Sequence, residues 1–68
     1  MHETKERLIR LAEVMDRTAL TRSTLYALIK RDEFPSPVRL TATAVAWPEI
    51  SVDNWIQGRI DAANGVAE

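Results

Sequence analysis

The segment around Thr21 constrains the fold of this 68-residue chain more than any other feature. Thr21 is a strong helix N-cap, because its hydroxyl can accept hydrogen bonds from the free backbone N–H groups of a first turn. Leu20 before it and Leu25 after it occupy the two positions of a hydrophobic staple. Pro35 lacks an N–H and disfavours helical geometry in the preceding residue. The segment therefore predicts a short, well-capped helix that ends near Arg31.

A second short helix is predicted immediately before this one. Leu11, Val14 and Met15 recur at helical spacing, which indicates an amphipathic helix over residues 11–18. About three residues separate the two helices, and this spacing is typical of a helix-turn-helix. The four residues "LIRL" at 8–11 are compatible with either a short strand or the approach to the helix.

The period of the sequence changes after Pro37. The stretch "PVRLTATAVAW" at 37–47 is rich in β-branched residues and predicts two short strands joined by a turn near 41–43. A last helix is expected from about Ser51, with an extra turn from Pro48 as the alternative. The predicted fold class is therefore mainly α with a small β-ribbon, arranged as a winged helix-turn-helix in which the ribbon is the wing.

The length of the chain allows one domain. Residues 1–7 are polar and charged without apolar periodicity, so we expect a flexible N-terminal arm. Residues 8–61 form the predicted winged helix-turn-helix domain, and residues 62–68 are expected to be a frayed C-terminal tail. Two large side chains, Trp47 and Trp55, are expected in the core.

Composition argues against catalysis. The chain has no cysteine, one histidine near its N-terminus, and carboxylates that form no evident acid–base pair. We therefore expect neither an enzyme nor a metal or cofactor. No apolar run approaches the roughly 20 residues that a membrane span requires, so the expected location is the cytoplasm.

Charge is distributed unevenly along the chain. The net charge is only −1. Residues 22–39 nevertheless carry four basic and two acidic groups, whereas residues 40–68 carry one basic and four acidic groups. One basic face and one acidic face are therefore expected.

The capped helix presents a polar face opposite its apolar stripe. At 100° per residue, Leu25, Leu28 and Ile29 point to one side, while Ser23 and Lys30 lie opposite. The first turn of a recognition helix meets base edges in a helix-turn-helix. Helix chemistry alone nevertheless favours the simpler interpretation, an ordinary capped helix on the surface of a domain.

Five motifs favour a DNA-binding helix over an ordinary surface helix. They are "RLIRLAEV", "LTRSTLYALI", "FPSPVRL", "AVAW" and "VDNWI". As an ordered set over about fifty residues they resemble the AlpA-like family of phage and prophage regulators, within the MerR-like winged-helix excisionases. The resemblance implies DNA binding through the second helix and the wing. With the helix face described above, the candidate DNA contacts are Arg22, Ser23, Thr24, Tyr26, Lys30, Arg31, Arg39, Thr41 and Thr43.

The resemblance also implies a function. Members of this family act as excisionases, or recombination directionality factors, with a tyrosine integrase, and some instead regulate transcription of an integrase gene. We expect the first role, with the second as alternative. The expected partners are double-stranded DNA and a tyrosine integrase, with copies that bind DNA cooperatively but are monomeric when free.

Three departures from the family pattern keep another alternative open. The family often has arginine at the position of Ala27, glycine at that of Ala19, and glycine with a basic residue where this wing reads "TAT". With fewer cations and a low net charge, a small protein-interaction module that docks on a recombinase without reading DNA remains a third hypothesis.

Overall fold

A computed structural model describes residues 5–65 of the chain. The order of elements is β1 (Leu8–Ile9), α1 (Leu11–Thr18), α2 (Arg22–Lys30), β2 (Val38–Arg39), β3 (Val45–Pro48) and α3 (Glu49–Ala63). The three strands form one antiparallel sheet in the order β1-β3-β2. The predicted winged helix-turn-helix fold is confirmed, with β2 and β3 as the wing.

The segment at 8–11, which the sequence left undecided, divides between two elements. Ile9 pairs with Trp47 across β1 and β3, and Leu11 is the first residue of α1. Pairing with β3 fixes β1, because a strand of two residues has no stability of its own.

Apolar side chains from every helix meet the sheet in one core. Its buried members are Ile9, Val14, Leu25, Phe34, Trp47 and Val52, and the stripe residues Leu28 and Ile29 of α2 pack against them. Trp47 is completely buried and donates its indole N–H to the backbone carbonyl of Pro35 at 2.9 Å. The prediction that Trp47 lies in the core is confirmed, whereas Trp55 is only partly buried.

Both tryptophans also hold the loop between α2 and the wing. The indole N–H of Trp55 donates to the carbonyl of Glu33 at 2.9 Å, and its ring lies edge-on to Phe34 with 4.9 Å between centroids. These bonds satisfy the polar ends of large apolar side chains. They fix the direction in which the wing leaves α2.

The start of α3 differs from the expected N-cap at Ser51. The helix begins at Glu49 with Pro48 as its N-cap residue, which agrees with the alternative of an earlier turn. The backbone N–H of Glu49 donates to the carbonyl of Arg7 at 2.7 Å, so a tertiary hydrogen bond replaces the side-chain cap.

The helix α3 continues to Ala63, within the segment expected to be a tail. Of the expected arm and tail, residues 1–4 and 66–68 lie outside the described residues.

Candidate nucleic-acid interface

The start of α2 is fixed by Thr21. Its hydroxyl oxygen accepts the backbone N–H of Thr24 at 3.2 Å and donates to the hydroxyl of Thr24 at 3.0 Å. Leu25 in the same turn is fully buried and Leu20 packs against the core, as the predicted staple requires. The opposite side of α2, with Ser23 and Lys30, is exposed. The predicted cap and the predicted polar face are both present.

A groove separates the starts of α1 and α2 from the wing. Its volume is 410 Å³. We call it the wing groove, and it is lined by Arg10, Leu11, Ala12, Arg22, Tyr26, Thr43 and Val45. Three of the predicted contact residues therefore lie around one concave surface.

Arg22 is held in place along the helix. Its guanidinium carbon lies 5.9 Å from the centre of the Tyr26 ring, within the range of a cation–π contact. Tyr26 is 37% exposed. The contact places the Arg22 side chain along Tyr26, and both residues line the wing groove.

Arg10 is a residue that the sequence analysis missed. It lies between β1 and α1, in extended geometry at the N-cap position of α1, and its side chain is exposed. The signal in the sequence was weak, because the segment at 8–11 did not reveal where a strand ended and a helix began. Only the packing of α1 against β3 brings Arg10 to the same groove as Arg22.

Local bonds order the wing tip. The backbone N–H groups of Leu40 and Thr41 both donate to the carbonyl of Ala44, at 2.8 and 3.2 Å. The hydroxyl of Thr41 accepts the N–H of Thr43 at 3.3 Å, and Arg39 donates to the carbonyl of Ala42 at 3.3 Å. Thr41 and Arg39 therefore stiffen the turn, whereas Thr43 lines the wing groove.

The two predicted cations at the end of α2 differ. Arg31 forms an exposed ion pair with Glu33 at 3.3 Å, which neutralises part of its charge. Lys30 is exposed and has no ion pair among residues 5–65. Lys30 is therefore the more available of the two for an anionic ligand.

An ion-pair network occupies another part of the surface. We use this name for the charged side chains of Arg7, Glu13, Arg17, Glu49 and Asp53. Arg17 contacts Glu49 at 2.6 Å, Glu13 at 2.7 Å and Asp53 at 3.0 Å, while Arg7 contacts Glu49 at 2.9 Å. The hydrogen bond with Arg17 lowers the pKa of Glu49, and the same bond raises the pKa of Arg17.

The network separates the charges of the molecule. Arg7 and Arg17 are neutralised by carboxylates, whereas Arg10 and Arg22 form no ion pair within residues 5–65. No carboxylate of residues 5–65 lines the wing groove. Two other grooves in the described part of the chain contain carboxylates, from Glu6, Glu49 and Asp53 in one and from Asp32 and Glu33 in the other. The wing groove is thus the positively charged one of the three.

No group of three histidine, cysteine or carboxylate side chains within residues 5–65 is arranged to hold a metal ion. In the same part of the chain, no helix combines the length and the hydropathy needed to cross a bilayer.

The fold and the basic groove define a winged helix-turn-helix protein. Residues 7–60 match the family of the prophage CP4-57 regulatory protein AlpA, and the chain belongs to this family of phage regulatory proteins. The resemblance that the sequence motifs indicated is confirmed.

One phage protein supports the same assignment. The chain is 47% identical over 57 residues to the uncharacterized protein ORF88 of Enterobacteria phage P4. The match covers 84% of this chain and 65% of that relative, so the chain spans a little under two thirds of the relative's length. No solved structure matches the chain.

Proposed function

We propose that this protein is a sequence-specific DNA-binding accessory factor of a phage, prophage or integrative element. In this role it acts as an excisionase, or recombination directionality factor, with a tyrosine integrase. The observation that carries the proposal is the wing groove, where two arginines without carboxylate partners in the described chain lie between a capped helix and a wing. Family membership supports a regulatory role in a phage element.

The helix α2 enters the major groove of DNA in this proposal. Arg22 lies in its first turn, the part of a recognition helix that meets base edges, and a guanidinium can form two hydrogen bonds with guanine. Ser23 and Thr24 donate hydroxyl hydrogen bonds to bases or phosphates. Tyr26 donates its hydroxyl to a phosphate, while Lys30 and Arg31 supply charge along the backbone.

The wing makes the second set of contacts. Arg39 and Thr41 hold the turn in shape through the bonds described above, and their remaining donors face the sugar–phosphate backbone in the proposed complex. Thr43 lines the wing groove together with Tyr26 of α2. A rigid wing loses little entropy when it binds.

The partner and the location follow from the same proposal. An integrase bound beside this protein would use the DNA that the wing and α2 organise, and several copies would bind cooperatively along an attachment site. The site of action is the cytoplasm, where phage and host DNA meet. Transcriptional regulation of an integrase or prophage gene is the second candidate, and the description of the family as regulatory proteins favours it.

A binding measurement tests the proposal. The protein should enrich a duplex from a random pool and bind it with a steep dependence on salt. Each neutralised phosphate contributes about −0.9 to the slope of log K against log salt, so the four basic groups predicted on this face give about −3 to −4. Binding that is absent, or independent of salt, would favour the protein-interaction module instead.

Two substitutions separate base reading from backbone binding. Arg22→Ala should reduce the preference for the selected duplex over random DNA by about 1–3 kcal/mol. Lys30→Ala should weaken binding to both duplexes alike and make the salt slope shallower by about one unit. An equal loss of affinity for both duplexes in Arg22→Ala would exclude Arg22 as a base reader.

A further inference from the structure

A sugar–phosphate ridge lies between the major and minor grooves of a duplex. If α2 occupies the major groove and the wing reaches the adjacent minor groove, this ridge must pass between them. In this protein the space between α2 and the wing is the wing groove. The groove also has a third wall, formed by the start of α1 with Arg10 and Ala12. In the proposed complex, the start of α1 therefore faces the DNA strand.

We infer that Arg10 binds a phosphate of this strand within the wing groove, an inference that rests on the proposed DNA-binding function. The charge of the groove supports it, because Arg10 and Arg22 line it and no carboxylate from the described part of the chain does. Arginine also suits this ligand, since its planar guanidinium can form two parallel hydrogen bonds with phosphate oxygens. Thr43, on the wing side of the groove, provides a hydroxyl for the same backbone.

The backbone of Arg10 is fixed, whereas its side chain is exposed. Ile9 before it is 1% exposed within the sheet, and Val14 after it is completely buried. The carbonyl of Arg10 accepts the N–H groups of Glu13 and Val14 at 3.1 and 3.0 Å. Anchoring on both sides fixes the point on the surface from which the arginine side chain extends. Its contact would therefore set the register of α2 along the DNA.

A phosphate contact does not distinguish one base from another. Replacing Arg10 should therefore affect DNA binding differently from replacing Arg22. Arg10→Gln should weaken binding to selected and random duplexes by the same factor and make the salt slope shallower by about one unit. Arg59→Gln is the matched control. Arg59 is exposed on α3, where its guanidinium lies 4.8 Å from the centre of the Trp55 ring, outside the wing groove. Both variants lose one positive charge.

A scan of the selected duplex with single neutral methylphosphonates locates the contact. For the wild type and Arg59→Gln, neutralising one particular phosphate should lower the affinity. For Arg10→Gln, the same phosphate should have no further effect, because its cationic partner is missing. Circular dichroism of each variant checks that the fold is retained.

The outcomes separate this inference from the proposed function. If the wild type binds the duplex and Arg10→Gln behaves like Arg59→Gln at every phosphate, the inference is wrong and the proposed function stands. If the wild type binds no duplex, both are wrong. Loss of selectivity rather than of overall affinity in Arg10→Gln would make Arg10 a base reader and would also overturn the inference.

Discussion

Among residues 5–65, two residues other than glycine adopt left-handed backbone geometry, and each follows shortly after a helix. Ala19 has φ of 63° and donates its N–H to the carbonyl of Met15 at 2.8 Å, which closes α1. Asp32 has φ of 62° and follows α2, where its N–H donates to the carbonyl of Ile29. Aspartate tolerates this geometry better than alanine, because its short polar side chain can form local hydrogen bonds. The strain therefore falls mainly on Ala19, in the turn of the helix-turn-helix.

Replacing Ala19 with glycine should stabilise the protein. Relief of the left-handed strain gains about 1–2 kcal/mol, and the greater freedom of glycine in the unfolded chain removes part of this gain. The net increase should be about 0.5–1 kcal/mol, roughly 2–8 °C in melting temperature for a domain of this size. Thermal unfolding followed by circular dichroism measures it.

The matched control makes the same substitution where the backbone is helical. Ala27 is exposed within α2, so Ala27→Gly should lower stability by about 0.5–1 kcal/mol. If both variants were destabilised alike, the backbone strain at Ala19 would not limit the stability of this fold.

At the scale of elements, the ion-pair network joins α1 to the start of α3. Glu49 is the first residue of α3, where a negative charge also interacts favourably with the helix dipole. Its side chain accepts from both Arg7 and Arg17, although all these groups are in contact with solvent. Exposed ion pairs contribute little individually and are screened by salt. We therefore expect the contribution of the network to folding stability to depend on salt and pH.

The lowered pKa of Glu49 determines whether its contribution to folding stability rises or falls with pH. Its carboxylate is harder to protonate in the folded protein than in the unfolded chain, where the ordinary value is 4.5. The unfolded state therefore binds more protons in this range. The contribution of Glu49 is complete above pH 4.5 and is lost as the pH falls through the lower folded value. Glu49→Gln should be less stable at neutral pH and approach the wild type on acidification.

Chemical unfolding at a series of pH values measures this difference. Asp16→Asn is the control, since Asp16 is exposed on α1 and forms no ion pair within residues 5–65. The free energy of unfolding of Glu49→Gln could instead run parallel to that of the wild type over the whole acidic range. That result would exclude a role for this carboxylate in the acid sensitivity of the fold.

At the scale of the whole molecule, small size limits what one copy can do. A single module of this kind buries only about 600–1,000 Å² on DNA, which is little for a selective site. A contact between the acidic residues of α3 in one copy and the basic face of the next would be one way for copies to cooperate. In the folded protein, however, Asp53 and Glu49 already contact Arg17. Cooperation between copies would thus depend more on the shared DNA than on this charge contact.

We predict that several copies bind side by side on DNA while the free protein is a monomer. Footprinting should reveal repeated protected sites in one orientation, because one site provides too little contact for selectivity. Sedimentation without DNA should give a mass near 7.7 kDa. A stable dimer in solution that protects a single inverted repeat would contradict this prediction and indicate a two-fold repressor.

The sequence by itself determined the elements that depend on neighbouring residues. Thr21 and Leu25 predicted where α2 begins, and Pro35 predicted that it could not continue. The short spacing of the two helices and the change of hydrophobic period after Pro37 were sufficient to predict the order of elements of a winged helix-turn-helix. These features are local, because caps, staples and proline geometry act within one or two turns of the chain.

Tertiary structure decided the features that involve residues distant in sequence. The start of α3 at Glu49 depends on a hydrogen bond to Arg7, which no local pattern reveals. The strand β1 exists because Ile9 pairs with Trp47. Arg10 joins Arg22 and Thr43 in one groove only after α1, α2 and the wing have packed together. Local propensity selects helices and strands, but the packing of the shared core determines which of their exposed side chains face one another.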